Sequence, residues 1–166
     1  MSQRSASGAV GVQEAGDRRQ LVVVRLGDHE YGLAAEAVVQ VLRMVAIRPV
    51  PESPAWLSGV INLRGRTTPI LDLRTRLGLP PETPGLSDHI VILGSKDTTL
   101  GLIVDAVLEV LEVAADAVEP PDDAVGRDGL VAAVARFGDR LLLVLDVDRL
   151  SPPPGAIHAP AGLPGA

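Results

Sequence analysis

The chain has 166 residues, of which 46% are hydrophobic and only 2% aromatic, with no cysteine and a formal net charge of -6. That length suits one domain, or two very small ones that share a core. The acidic balance and the lack of stacking rings argue against a nucleic-acid partner, and the missing cysteines exclude disulfides, thiolate metal sites and cysteine nucleophiles.

With one Trp, one Tyr and one Phe, the core has to be built from Val, Leu and Ile, which suits small β-barrels. Residues 1–19 are small and polar, and residues 151–166 are dominated by Pro, Gly and Ala. Both segments read as disordered tails. No targeting segment or membrane-length apolar run is evident, so the expected compartment is the cytosol.

From residue 20 the pattern turns strand-like. Leu21 to Leu26 reads as a strand, Gly27-Asp28 as a turn, and Tyr31 to Leu33 as a second strand. The next segment is ambiguous: Val38, Val41, Leu42 and Val45 fit helical spacing, while the valine content favours a strand. The reading adopted is a helical turn near Ala34–Ala37 followed by a strand to about Arg48. Pro49, Pro51 and Pro54 interrupt the chain before a short helical turn at Ala55–Ser58.

Gly59-Val-Ile-Asn-Leu-Arg-Gly-Arg-Thr-Thr-Pro-Ile-Leu-Asp72 then reads as a hairpin. Gly65 supplies the freedom that the reversal needs, and Arg64 projects from the tip. Pro69 requires an edge strand or an irregular point in the ladder. Asp72 is positioned to cap a short helix through Leu77, ended by Gly78, and Pro80, Pro81 and Pro84 mark a linker.

Beyond the linker the pattern recurs. Leu21–Leu42 aligns without gaps on Ile90–Leu111, placing Gly32 on Gly101, Glu36 on Asp105, Val38 on Val107, Gln40 on Glu109 and Val41 on Val110. Asn62-Leu-Arg-Gly65 and Pro69–Asp72 resemble Ala135-Arg-Phe-Gly138 and Leu143–Asp146 at slightly different offsets. Chance likeness between Val/Leu-rich strands is the plainer explanation. The extent of the match favours pseudo-repeats at about 20–80 and 89–150, each too small to bury a good core alone. Packing the copies together, with or without exchange of a strand, would remedy that.

Residues for chemistry are missing. His29, His89 and His158 have no ligand spacing, and Asp72, Asp105, Asp146 and Asp148 read as caps and turn residues. No phosphate-cradling glycine pattern or nucleophile elbow occurs. The chain does not read as an enzyme, and no cofactor is expected.

Three stretches carry a resemblance to the CheW family of chemotaxis adaptors: Leu26-Gly-Asp-His-Glu-Tyr-Gly-Leu33, Pro54-Ala-Trp-Leu-Ser-Gly-Val-Ile-Asn-Leu-Arg-Gly65 and Pro69-Ile-Leu-Asp-Leu-Arg74, with Gly101–Asp105 matching the second half. The resemblance spans residues 20–150. It implies a mainly β fold of two SH3-like five-stranded β-barrels packed together, with a few short helices and no catalysis. It also implies two partners, the cytoplasmic hairpin tip of a chemoreceptor and the regulatory domain of a CheA-type histidine kinase, with other CheW-like domains as further candidates. Association with membrane arrays would then run through these partners, without direct insertion.

By position the resemblance assigns Arg64 to the receptor contact, with Asn62 and Gly65 shaping its turn. It places Val38, Val107 and Val110 near the groove between the barrels, where core packing is the competing explanation. Gln40 stands where the family often carries glutamate. A CheW-like adaptor serving pili, surface motility or cyclic-dinucleotide output is the alternative.

Overall fold

In β1 (Arg18–Leu26) four consecutive apolar residues, Leu21, Val22, Val23 and Val24, are all buried. A strand buried on both faces needs such a run, because alternate side chains enter different cores. Leu21 and Val23 enter one cluster, with Leu111, Val113, Ala135 and Leu142. Val22 and Val24 enter a larger central cluster with Leu33, Val91, Leu93, Leu102 and Leu145. β6 (His89–Ser95) does the same: Val91 and Leu93 face the centre, while Ile90 and Ile92 join Ile61, Ile70 and Ile103 in a third cluster. Three apolar cores are thus separated by two sheets.

The computed structural model describes residues 18–95, 98–123 and 129–151. The two expected tails lie almost wholly outside these residues. After β1 come β2 (His29–Ala34), a 3₁₀ turn (Ala35–Ala37), β3 (Val38–Arg43), β4 (Leu57–Leu63), β5 (Arg66–Asp72) and α1 (Leu73–Arg76). After β6 follow β7 (Thr98–Val104), β8 (Ala106–Ala114), a second 3₁₀ turn (Ala115–Ala117), β9 (Val118–Glu119), β10 (Val131–Phe137), β11 (Arg140–Leu145) and α2 (Val147–Leu150). The fold is mainly β, as expected.

Strand order is β9-β10-β11-β2-β1-β8 in one sheet and β3-β6-β7-β5-β4 in the other. Each sheet takes strands from both halves of the chain. β1 and β2 leave β3, β4 and β5 to lie beside β8–β11, and β6 and β7 make the reciprocal move. Two parallel pairs sew the halves together, β2 with β11 and β5 with β7.

The ladders repeat at constant shifts. Gly32 pairs with Val144 and Gly101 with Ile70, so 69 residues relate the early strands and 74 the later ones. Leu21↔Leu111 and Val22↔Val110 match Ile90↔Leu42 and Val91↔Val41. Irregularities recur as well, beside Val39 and Leu108 and at Leu57/Gly59 and Val131/Ala133. In the first unit β9 is represented by a single bridge, Arg48↔Val60.

Local expectations need three corrections. The strand expected to reach Arg48 ends at Arg43, because Met44 and Ile47 turn in to cover the isoleucine cluster. No helix forms at Ala55–Ser58: residues 55 and 56 turn, and β4 starts at Leu57, whose side chain is buried. Pro69, by contrast, meets the second of its two expected settings: it lies in an interior strand, at an irregular point in the ladder. Both polar backbone groups of Val60, its antiparallel partner, bond Arg48 instead, and the parallel ladder with β7 starts only at Ile70. Proline therefore sits where neither neighbour requires its missing donor. Third among the corrections, Arg64 corresponds to Gly138 and Leu63 to Phe137, one residue away from the alignment drawn on the glycines.

Asp72 and Asp146 cap α1 and α2, accepting from backbone N–H groups at Arg74, Thr75 and Arg149. Burial pushes the phenol of Tyr31 above its ordinary pKa of 10.0. An acid with a raised folded pKa lends stability that is complete below its unfolded value and lost as pH rises through the folded one. Tyr31→Phe should therefore lessen the fall in urea midpoint above about pH 10, with little change at pH 7.

Candidate partner-binding surface

The β4–β5 hairpin reverses through Arg64 and Gly65, whose φ values are 54° and 81°. Positive φ at both central residues is the type I′ pattern, whose twist suits paired strands. An arginine held there carries strain of about 1 kcal/mol or more. Asn62 opposes it, because its Oδ1 accepts a 2.9 Å hydrogen bond from the Gly65 N–H. The Arg64 side chain is exposed, and among the described residues it has no ion-pair partner.

The second tip is built differently. At Gly138-Asp139 only the glycine has positive φ, 61°, which is the type II′ pattern. Arg136 replaces Asn62 there and pairs with Glu119 at 3.5 Å.

Val38 and Gln40 lie on β3, an edge strand of the five-stranded sheet, and Val107 and Val110 on β8, an edge of the other. Val38 and Val107 are half-buried and pack against the central cluster, so packing accounts for part of each side chain. Val110 is 60% exposed, and its counterpart Val41 is 42% exposed. The irregular positions Val39 and Leu108 are exposed too. Val41, Val39 and Leu108 are missing from the sequence-derived set, although the shift of 69 residues that links Val38 to Val107 also links these pairs.

The structure thus joins Val38 and Val107 through one cluster. It holds Gln40 and the hairpin tip on a single curled sheet, in which Leu42 from β3 and Leu63 from β4 cover the same isoleucines.

Charge is distributed unevenly between the units. In the second, Arg140 donates to Glu30 at 2.7 Å and Glu109 at 2.9 Å, and these hydrogen bonds raise its pKa above the ordinary arginine value. In the first, Arg43, Arg64 and Arg66 are exposed with no carboxylate partner among the described residues. Between the units, Arg74 on α1 donates to both oxygens of Asp105 at 3.0 and 2.8 Å, and Asp105 accepts from the Gly27 N–H at 2.7 Å. Burial opposes the charge on Arg74, but hydrogen bonding and attraction to Asp105, with Glu82 and Asp72 adding, raise its pKa on balance. Asp105 is therefore an ion-pair residue and not a helix cap.

Among the described residues no group of His, Asp or Glu side chains converges as a metal-ligand set, and no helix is long and apolar enough to cross a membrane.

The family model of the CheW-like domain matches residues 20–152. The chain belongs to this family. It is 33% identical over 137 residues to the chemotaxis protein CheW of Treponema pallidum, covering 79% of this chain and 81% of that one. Against the probable chemotaxis protein CheW of Rhizobium etli the identity is 37% over 112 residues, covering 68% and 72%. The crystal structure of the scaffolding protein TtCheW from Thermoanaerobacter tengcongensis superposes with a TM-score of 0.72 at 31% identity, over 78% of this chain and 84% of that one. Such a match accords with two SH3-like subdomains, each sharing strands with the other half of the CheW-like chain.

Proposed function

We propose that the chain is a non-catalytic cytoplasmic adaptor that couples chemoreceptors to a CheA-type histidine kinase. The observation that carries this reading is Arg64, a cation with no ion-pair partner among the described residues, fixed in left-handed backbone on the tip of a CheW-like barrel. A pre-set tip loses little freedom on binding, so more of its interaction energy appears as affinity. Arg64, Asn62 and Gly65 meet the receptor's hairpin tip. Val38, Gln40, Val107 and Val110 line the edges against which an apolar partner face lies. Two sites on one body raise the effective concentration of each partner for the other.

Co-sedimentation of the chain with a receptor signalling fragment and a kinase regulatory domain tests both contacts. All three components should pellet together. Arg64→Glu should cut receptor capture by about tenfold or more, the scale of one charge-assisted contact, with an unchanged circular dichroism spectrum. Full capture by this variant would remove Arg64 from the interface.

A further inference from the structure

The two units differ most at one set of four strands. In the second, Arg140 at the start of β11 holds Glu30 on the neighbouring β2 and reaches on to Glu109 on β8, the far edge of the four. The matching set in the first unit is β5, β7, β6 and β3. The shifts of 74 and 69 residues place Arg66 where Arg140 stands, Thr99 where Glu30 stands and Gln40 where Glu109 stands. The arginine is kept, and both acids are replaced by neutral groups. Arg66 and Thr99 are exposed and Gln40 is half-buried. None of the three side chains has a hydrogen-bond or ion-pair partner among the described residues.

Every group at this place can donate: a guanidinium, a primary amide and a hydroxyl. A planar fork of donors flanked by neutral donors suits the two oxygens of a carboxylate, bound in bidentate fashion. Gln40 brings the place to the edge strand β3, between the exposed Val39 and Val41, which favours an acidic residue carried on an apolar protein segment.

We infer that Arg66, with Gln40 and Thr99, binds an aspartate or glutamate side chain of a protein partner, replacing from outside the carboxylates that the second unit supplies from within. This rests on the adaptor reading and adds a second charged contact at the base of the hairpin turn, beside Arg64.

The test compares the wild-type chain, Arg66→Ala and Gln40→Glu in titrations against the receptor fragment and the kinase regulatory domain at low and high salt. Arg66→Ala should weaken binding to one of them by about five- to tenfold at low salt, with a smaller loss at high salt. Gln40→Glu gives Arg66 an internal carboxylate. It should weaken the same complex by a similar factor without lowering the melting temperature, a result that loss of structure would not produce. If wild type binds and both variants stay within twofold of it, the inference is wrong and the adaptor reading stands. If wild type binds neither fragment, the adaptor reading fails and takes this site with it.

Discussion

Gly59→Ala should lower the melting temperature by about 10 °C or more. The residue has φ of 149°, and a Cβ built on it would lie 2.2 Å from the Arg48 carbonyl oxygen and 2.8 Å from the Ile47 Cγ2. The first of these is backbone that cannot swing aside. It is held by two reciprocal 2.9 Å hydrogen bonds between Arg48 and Val60, the bridge that stands in for β9 in the first unit. A methyl group there breaks both bonds, uncovers Ile47 and strains the backbone, a cost of about 3–4 kcal/mol. In a domain of this size each kcal/mol corresponds to roughly 3 °C. Gly65→Ala provides the comparison. Its φ is 81°, but nothing lies within 4 Å of the added atom, so only backbone strain of about 1–2 kcal/mol is expected. Calorimetric melts that place Gly59→Ala no lower than Gly65→Ala would refute this packing argument.

Arg74→Ala should cost about 2–3 kcal/mol in urea unfolding. The Arg74 side chain is only 12% exposed and that of Asp105 17%. Removing the guanidinium strands a largely buried carboxylate that keeps the Gly27 N–H and, at 3.9 Å, Arg25. The position matters as much as the burial. Arg74 follows β5 of the five-stranded sheet, Asp105 joins that sheet to β8 of the other, and Gly27 turns the chain between β1 and β2. Three segments from both sheets meet on one ion pair. Asp105→Asn combined with Arg74→Ala should recover about half of the summed single losses, because the amide keeps the bond to Gly27 without a stranded charge. Simple additivity in that double-mutant cycle would mean that the two side chains do not cooperate.

Much of this architecture was legible locally. The unbroken apolar runs at Leu21–Val24 and Ile90–Leu93 announce strands buried on both faces, and Asp72 before Leu73 announces a cap. Arg64-Gly65 marks a reversal with an exposed cation. Partner choice for each strand was not legible, because parallel pairing of β2 with β11 joins residues more than a hundred apart with no local signature. The displaced tip alignment has a physical cause: Gly65 and Gly138 are both needed for positive φ, but at different positions of different turn types. Matching glycines therefore misaligned the hairpins by one residue. The Arg66 site was invisible for a related reason. Its meaning comes from carboxylates absent on strands that only the fold brings beside it, while Gln40 already stood out as an uncharged residue. The positions of Val38 and Val107 against the central cluster follow from the repeat, yet their half-burial depends on both strands being sheet edges.

Exchange of strands between the halves also governs how the chain emerges from the ribosome. β1 and β2 are made first, but their outer neighbours, β8 and β11, lie in the second half of the described chain. A nascent chain halted at the proline-rich linker holds five strands and no complete sheet. Its valine-rich β1 has both faces bare until the last hairpin has left the exit tunnel. Folding in this order is dominated by distant contacts and is correspondingly slow, with apolar strands open to wrong pairing in the interval. The topology that makes the finished protein one inseparable body leaves its first two strands dependent, during synthesis, on residues not yet made.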